Sequence, residues 1–247
     1  MYKIKATAIH LLLSILLVSS SLLVVITFWY PDIYRQIPEF RHIIKLLIIV
    51  DITLGPLLTF VVFKPKKKGL KFDLTVIAMM QIGALFYGIS TLFNARPVFM
   101  VFNIDRFTAV SANEIPETAL SNASEKYKTL SLSGPILVAA RLPENPKERE
   151  KILFSVISDN IDLAQMPEQY LPYSEVANKV KGKIKSLTLL SNKNAENQSL
   201  IKEALTRLNM SIEQVGYLPV VVKSQDLIAL IARKDAMVLE YLVIDSW

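Results

Sequence analysis

Three long apolar runs occupy roughly the first hundred residues, and the pattern then changes to short apolar stretches separated by mixed charge. The first run, Ala6 to Phe28, carries no charge and is interrupted only by Thr7, His10, Thr27 and a few serines. About 20 apolar helical residues cross a bilayer core, so this run predicts a spanning helix. Trp29 and Tyr30 follow where an interfacial aromatic belt belongs, and Pro31 ends the helix. Lys3 and Lys5 would also suit a signal peptide. The run exceeds the usual signal core and no clear Ala-x-Ala site follows, so an uncleaved span is expected. The second run is Ile43 to Phe63, containing Lys45, Asp51 and Gly55-Pro56. The third is Leu74 to Leu92, containing Gln81, Gly83, Tyr87 and Gly88. Residues 1–95 therefore read as a three-helix transmembrane bundle.

Residues 96–247 read as a separate α+β domain with an antiparallel sheet. Pro97 to Val110 reads as one strand and Leu130 to Leu142 as another, broken by Gly134-Pro135. Ser111 to Glu114 fits a capping box. Helices are expected from Asn145-Pro146 to about Ile157, from Ser174 to about Leu187, and over Asn197 to Leu208. The segment 164–174, with Pro167 and Pro172, reads as a loop. Val215 to Val222, Leu227 to Ala232 and Val238 to Ile244 read as an antiparallel meander turning at Arg233 to Ala236.

Charge then orients the spans. The net charge is +6, and much of the excess lies in Lys64, Lys66, Lys67, Lys68 and Lys71, between the second and third spans. A basic cluster wedged between apolar spans is a topology signal rather than a nucleic-acid site. It places this loop, with Lys3 and Lys5, in the cytoplasm. Three spans then put the domain after Asn94 outside. The lipid bilayer is the partner that the composition itself implies.

Asp51 is the residue hardest to explain as filler, because a carboxylate deep in a span costs a few kcal/mol. With the third helix running the opposite way, Gln81 and Tyr87 fall just below and just above it. One reading is a protonated Asp51 bonded to either, holding the bundle together. The other is a site for a partner helix bringing a cation or donor into the bilayer. Lys45 is six residues away, on another face, and is expected to snorkel. Gly55-Pro56 predicts a kink or freed carbonyls around Ile52.

The chemistry on offer is narrow. There is no cysteine, and both histidines, His10 and His42, precede the outer domain. That removes disulfides, thiolate metal sites and His-based triads from it. No phosphate-binding or nucleophile-elbow motif occurs. By residue type a Ser–Lys dyad or a carboxylate pair stays open, but neither has a supporting motif, so the domain reads as a binding module without metal or cofactor.

Val50-Asp51, Gly55-Pro56, Thr59-Phe60, Phe63-Lys64-Pro65-Lys66, Asp73, Gln81, Tyr87-Gly88, Ala95-Arg96-Pro97-Val98-Phe99 and Asp105-Arg106-Phe107 follow one another in a specific order. Over roughly Ile49 to Val110 the chain resembles the TfpX/TfpZ family of type IV pilin accessory proteins. The resemblance implies a bacterial inner-membrane factor that helps its cognate major pilin accumulate or assemble, without catalysis. Its partners would be that pilin and the inner-membrane assembly machinery of the pilus. The landmarks it carries over include Arg96, Pro97, Asp105 and Arg106 at the membrane exit. The competing class is a sensor or transporter subunit whose outer domain binds a small ligand.

Overall fold

The structure, a computed structural model, describes residues 2–147, 149–150, 152, 154, 161–223 and 225–244. The chain divides into two compact units, Met1–Arg96 and Pro97–Trp247.

In the first unit, three helices are long and apolar enough to cross a membrane: Tyr2–Trp29, Phe40–Val62 and Leu70–Asn94, of 28, 23 and 25 residues. At about 1.5 Å per residue each exceeds the roughly 30 Å hydrocarbon core. Leu12, Leu16, Met79 and Phe86 point outward on these helices, which suits lipid and would be costly in water. Helix α1 (Tyr2–Val24) ends in a π-helical turn, Val25–Trp29. The second span is built of α2 (Pro38–Leu47), a π-helical segment Ile48–Leu54 and α3 (Gly55–Val62). The third is α4 (Leu70–Asn94). Val18, Leu47 and Leu85, one from each span, form the buried apolar contact of the bundle.

The two ends of the bundle differ in chemistry. At one end Tyr30 stacks on Phe40 at 4.5 Å and donates to the Leu92 carbonyl at 3.0 Å, while Trp29 meets Phe93 edge-on. Arg96 covers the Phe93 ring and donates to the Phe93 carbonyl at 2.7 Å. At the other end Lys3 lies over Phe60, Lys67 pairs with Asp73, and Lys64, Lys66, Lys68 and Lys71 are in contact with solvent. Lys3 and the lysine loop therefore share one end, as the charge pattern requires.

The second unit is built on one mixed sheet in the order β4-β3-β1-β2-β6-β7-β8, with β5 pairing β6. The strands are β1 (Pro97–Asn103), β2 (Arg106–Ser111), β3 (Ile136–Ala140), β4 (Tyr170–Pro172), β5 (Lys185–Ser186), β6 (Val215–Val222), β7 (Gln225–Ala232) and β8 (Val238–Leu242). The expected antiparallel sheet is corrected, because β1 runs parallel to β3 and β2 parallel to β6. Strand β1 is buried at all seven positions, and a strand covered on both faces reads as a continuous apolar run. The single strand expected over 97–110 is a hairpin turning at Ile104-Asp105, with Asn103 opposite Arg106. Apolar side chains continue through both arms, which hid the turn.

The capping box at Ser111 forms, with Glu114 accepting from the Ser111 amide at 2.7 Å. Short helices α5 (Glu117–Asn122) and α6 (Glu125–Lys128) follow. Pro146, Lys147, Arg149 and Glu150 are helical, and the end of the helix expected to Ile157 lies outside the described residues. The loop expected over 164–174 contains β4, whose pairing with β3 recruits its backbone. The helix expected from Ser174 to Leu187 is only α7 (Ala177–Lys181); Lys185 and Ser186 pair with β6 instead. After α8 (Thr188–Ser191), α9 (Ala195–Leu208) is capped by the Asn194 side chain, and the meander β6-β7-β8 follows.

Two cores result. One gathers Phe99, Tyr127 and Tyr170 edge-on, with Tyr170 donating to the Ala164 carbonyl. Burial pushes the Tyr170 hydroxyl far above the usual phenol range, so it remains a donor. The other packs α9 on β6 and β7 through Ile201, Ala204, Tyr217 and Leu230.

Gly216 sits where β5 and β6 approach closely. A Cβ there would lie 2.1 Å from Ile184 Cγ2 and 2.6 Å from the Lys185 carbonyl oxygen. Gly216→Ala is expected to cost about 1–3 kcal/mol, read as a lower thermal midpoint by circular dichroism. Gly83→Ala, where a Cβ meets nothing within 4 Å, leaves the midpoint unchanged or raises it.

Candidate functional site

The polar residues of the spans converge on one layer. It begins with a backbone defect. Within Ile48–Leu54 the helix is wound so that the Gly55 amide bonds the carbonyl five residues back, at Val50. In that register the next donor belongs to residue 56 and the next acceptor is the Asp51 carbonyl. Residue 56 is proline and has no N–H. No water is present in a bilayer core to take over such a carbonyl. Gln81 of α4 does so, its Nε2 donating to the Asp51 carbonyl at 3.1 Å. The kink expected at Gly55-Pro56 is therefore realised as a π-helical segment. Its freed carbonyl belongs to Asp51 rather than Ile52, because the helix has slipped into the wider register.

Gly55 makes room for this bond. A Cβ there would lie 2.0 Å from Gln81 Nε2, so any side chain would expel the amide. Gln81 then ties the first span to the other two. His10 Nε2 lies 2.7 Å from Gln81 Oε1, and His10 Nδ1 meets the Thr59 hydroxyl. One neutral tautomer satisfies both contacts, with Nε2–H donating to Gln81 and Thr59 donating to Nδ1. The second Gln81 amide hydrogen reaches Ser14 Oγ at 3.5 Å. His10 and Ser14 stand four residues apart, on one face of α1.

Asp51 itself is 3% exposed, and its Oδ2 is buried without a hydrogen-bond partner. It lines a groove of about 340 Å3 between α1 and α4. Leu13, Leu17, Ala78 and Ile82 form apolar walls, and His10, Thr59 and Gln81 complete the polar part. The groove is apolar-walled, and its one unmet polar demand among the described residues is for a donor or cation at Asp51.

Of the residues singled out from the sequence, Asp51, Gln81, Gly55 and Pro56 meet in this layer. Tyr87, the alternative partner offered for Asp51, is 71% exposed. Lys45 is exposed. Lys64, Lys66, Lys67, Lys68 and Lys71 lie in or beside the loop at the far end, and Arg96 and Pro97 where the chain passes from one unit to the other. Asp105 and Arg106 pair with each other at 3.0 Å in the β1–β2 turn. His10, Ser14 and Thr59 were missed as members of the site. The available signal was that His10 is the one ionisable side chain inside the first run; its partners lie 49 and 71 residues away.

The fimbrial assembly protein FimB family profile matches residues 1–38. Among curated proteins, the fimbrial assembly protein of Dichelobacter nodosus serogroup I is 30% identical over 224 residues, covering 90% of this chain and 87% of that protein. The serogroup E1 protein gives the same identity and coverage. The protein of serogroups C1 and C2 is 32% identical over 117 residues, 47% of this chain and 89% of that protein. No solved structure is significantly similar.

The bond from Gln81 to the carbonyl freed by Pro56 predicts a thermodynamic coupling. Gln81→Leu should cost about 1 kcal/mol in a detergent unfolding titration. In a Pro56→Ala background, where residue 56 supplies its own amide, the same change should cost measurably less. Equal costs in both backgrounds would remove the proposed origin of the bond.

Proposed function

The chain belongs to the fimbrial assembly protein family, and on that footing we propose that it is a membrane accessory factor supporting the stability or assembly of its cognate major pilin into type IV pili. In this reading the protein sits in the bacterial inner membrane. The N-terminus and the lysine loop face the cytoplasm, and the unit from Pro97 onward faces the periplasm. It works as a chaperone-like binding module, with no catalytic step. The landmark order from Asp51 through Arg106 supports the narrower TfpX/TfpZ-type assignment.

The observation that carries the reading is the lateral groove with an unpartnered carboxylate oxygen. A subunit awaiting assembly from the membrane must keep an apolar helix in lipid and later release it. A groove open between two spans can hold such a helix by packing alone. Asp51 adds one polar contact, to a main-chain amine or a protonated side chain, which lipid cannot offer. Loss of a cation or proton on extraction into a filament would then weaken the hold.

Asp51→Asn keeps the shape of the side chain and removes its charge. Piliation by the host should fall several-fold while the variant accumulates normally by immunoblot. A photo-crosslinker at Leu13, which lines the groove, should capture major pilin in the wild-type background and less of it in the Asp51→Asn variant. Wild-type piliation with undiminished crosslinking would overturn the role given to the carboxylate.

A further inference from the structure

The second unit holds a basic cleft that its overall charge does not account for. From Pro97 to the C-terminus the sequence has 17 Lys and Arg against 18 Asp and Glu. Yet a cleft of about 580 Å3 is lined by Arg141, Arg149, Lys179 and Lys183, with no acidic residue in its lining among the described residues. All four side chains are exposed. Lys179 and Lys183 have no ion-pair partner among the described residues. Arg141 approaches Glu144 only at 4.0 Å, the outer limit of an ion pair, and that acid is itself freely solvated. Arg149 is steadied by its Nε donating to the Pro143 carbonyl at 3.1 Å.

The floor has a different character. Phe102, Leu163 and Val176 form its apolar base. The cleft lies just past the carboxyl ends of β1 and β3, the parallel pair of this part of the sheet, where open sheets commonly hold ligands. At its edge stands Ile104, 68% exposed and at φ +58°. That conformation is strained for a β-branched residue, and its apolar side chain is left in water as well. An adjoining cavity of about 260 Å3 shares Ile104, Leu142 and Leu163 and is lined also by Asp105, Arg106 and Asp162, so the basic rim ends there.

We propose that this cleft is a docking site for an acidic segment of a partner polypeptide, with carboxylates on the four-cation rim and an apolar side chain on the floor beside Ile104. A single phosphate would satisfy one or two of the cations and leave the apolar base in water. Carboxylates spaced along a chain match cations spread around a rim, and the segment's own apolar residue covers the floor. The site is independent of the membrane groove and of the identity of what that groove holds.

The test uses the full chain in a neutral detergent and a fluorescein-labelled peptide alternating Glu and Leu, followed by anisotropy. Binding should be saturable. It should weaken about tenfold in the Lys179→Gln/Lys183→Gln double variant, and again as salt rises from about 0.1 M to about 1 M, where the Debye length shrinks from about 10 Å to about 3 Å. These exposed substitutions should leave the melting temperature unchanged. As a second variant, Lys179→Glu/Lys183→Glu should lose the Glu peptide and gain a peptide alternating Lys and Leu. The proposal is overturned by absence of saturable binding, or by equal affinity in wild type and variants. It is equally overturned if inorganic phosphate, or vesicles of phosphatidylglycerol, displace the peptide at comparable charge concentration.

Discussion

A single backbone carbonyl organises the membrane unit. Pro56 withholds the amide that the wide helical turn before it would have used, so the Asp51 oxygen must be satisfied from another helix. Gln81 supplies that bond and cannot do so unless residue 55 is glycine. With its amide committed, Gln81 offers its oxygen to His10, and His10 turns its other nitrogen to Thr59. Gln81, His10, Thr59 and Ser14 are thereby held at a common level, beside Gly55, by the removal of one N–H. Beside this arrangement the Asp51 carboxylate keeps one buried oxygen, Oδ2, unmet.

Around that layer the bundle is conventional. Apolar contacts between Val18, Leu47 and Leu85 hold the three spans, an aromatic girdle closes one end, and lysines mark the other. What departs from a plain anchor is the opening between α1 and α4, where a bundle built only for stability would have packed side chains. The open groove and the unmet carboxylate oxygen coincide.

The second unit divides its residues in the way a water-facing domain requires. Its central strand β1 is buried on both faces, so everything that reaches solvent near it does so at strand ends and turns. The strained tip at Ile104 and the basic rim are both found there.

Consecutive residues were enough to reveal the three spans, the end at which the lysines lie and the β6-β7-β8 meander. Each of these rests on local periodicity, charge or turn residues, which the chain carries in neighbouring positions. Gln81 was readable as a partner of Asp51 from depth alone, since helix rise is fixed. Which atom it would meet was not, and Tyr87 fitted the same depth equally well. Facing direction depends on helix rotation, and rotation is set by packing across spans. The parallel pairings of β1 with β3 and β2 with β6, the hairpin inside an apolar run, and the strands in the segments read as loop and helix likewise emerged only from the folded chain. Strand partners are chosen by hydrogen bonding between residues far apart in sequence. His10, silent in its own run, acquired a role only when Thr59 and Gln81 were brought beside it, because a buried polar side chain is defined by its partner and not by its neighbours along the chain.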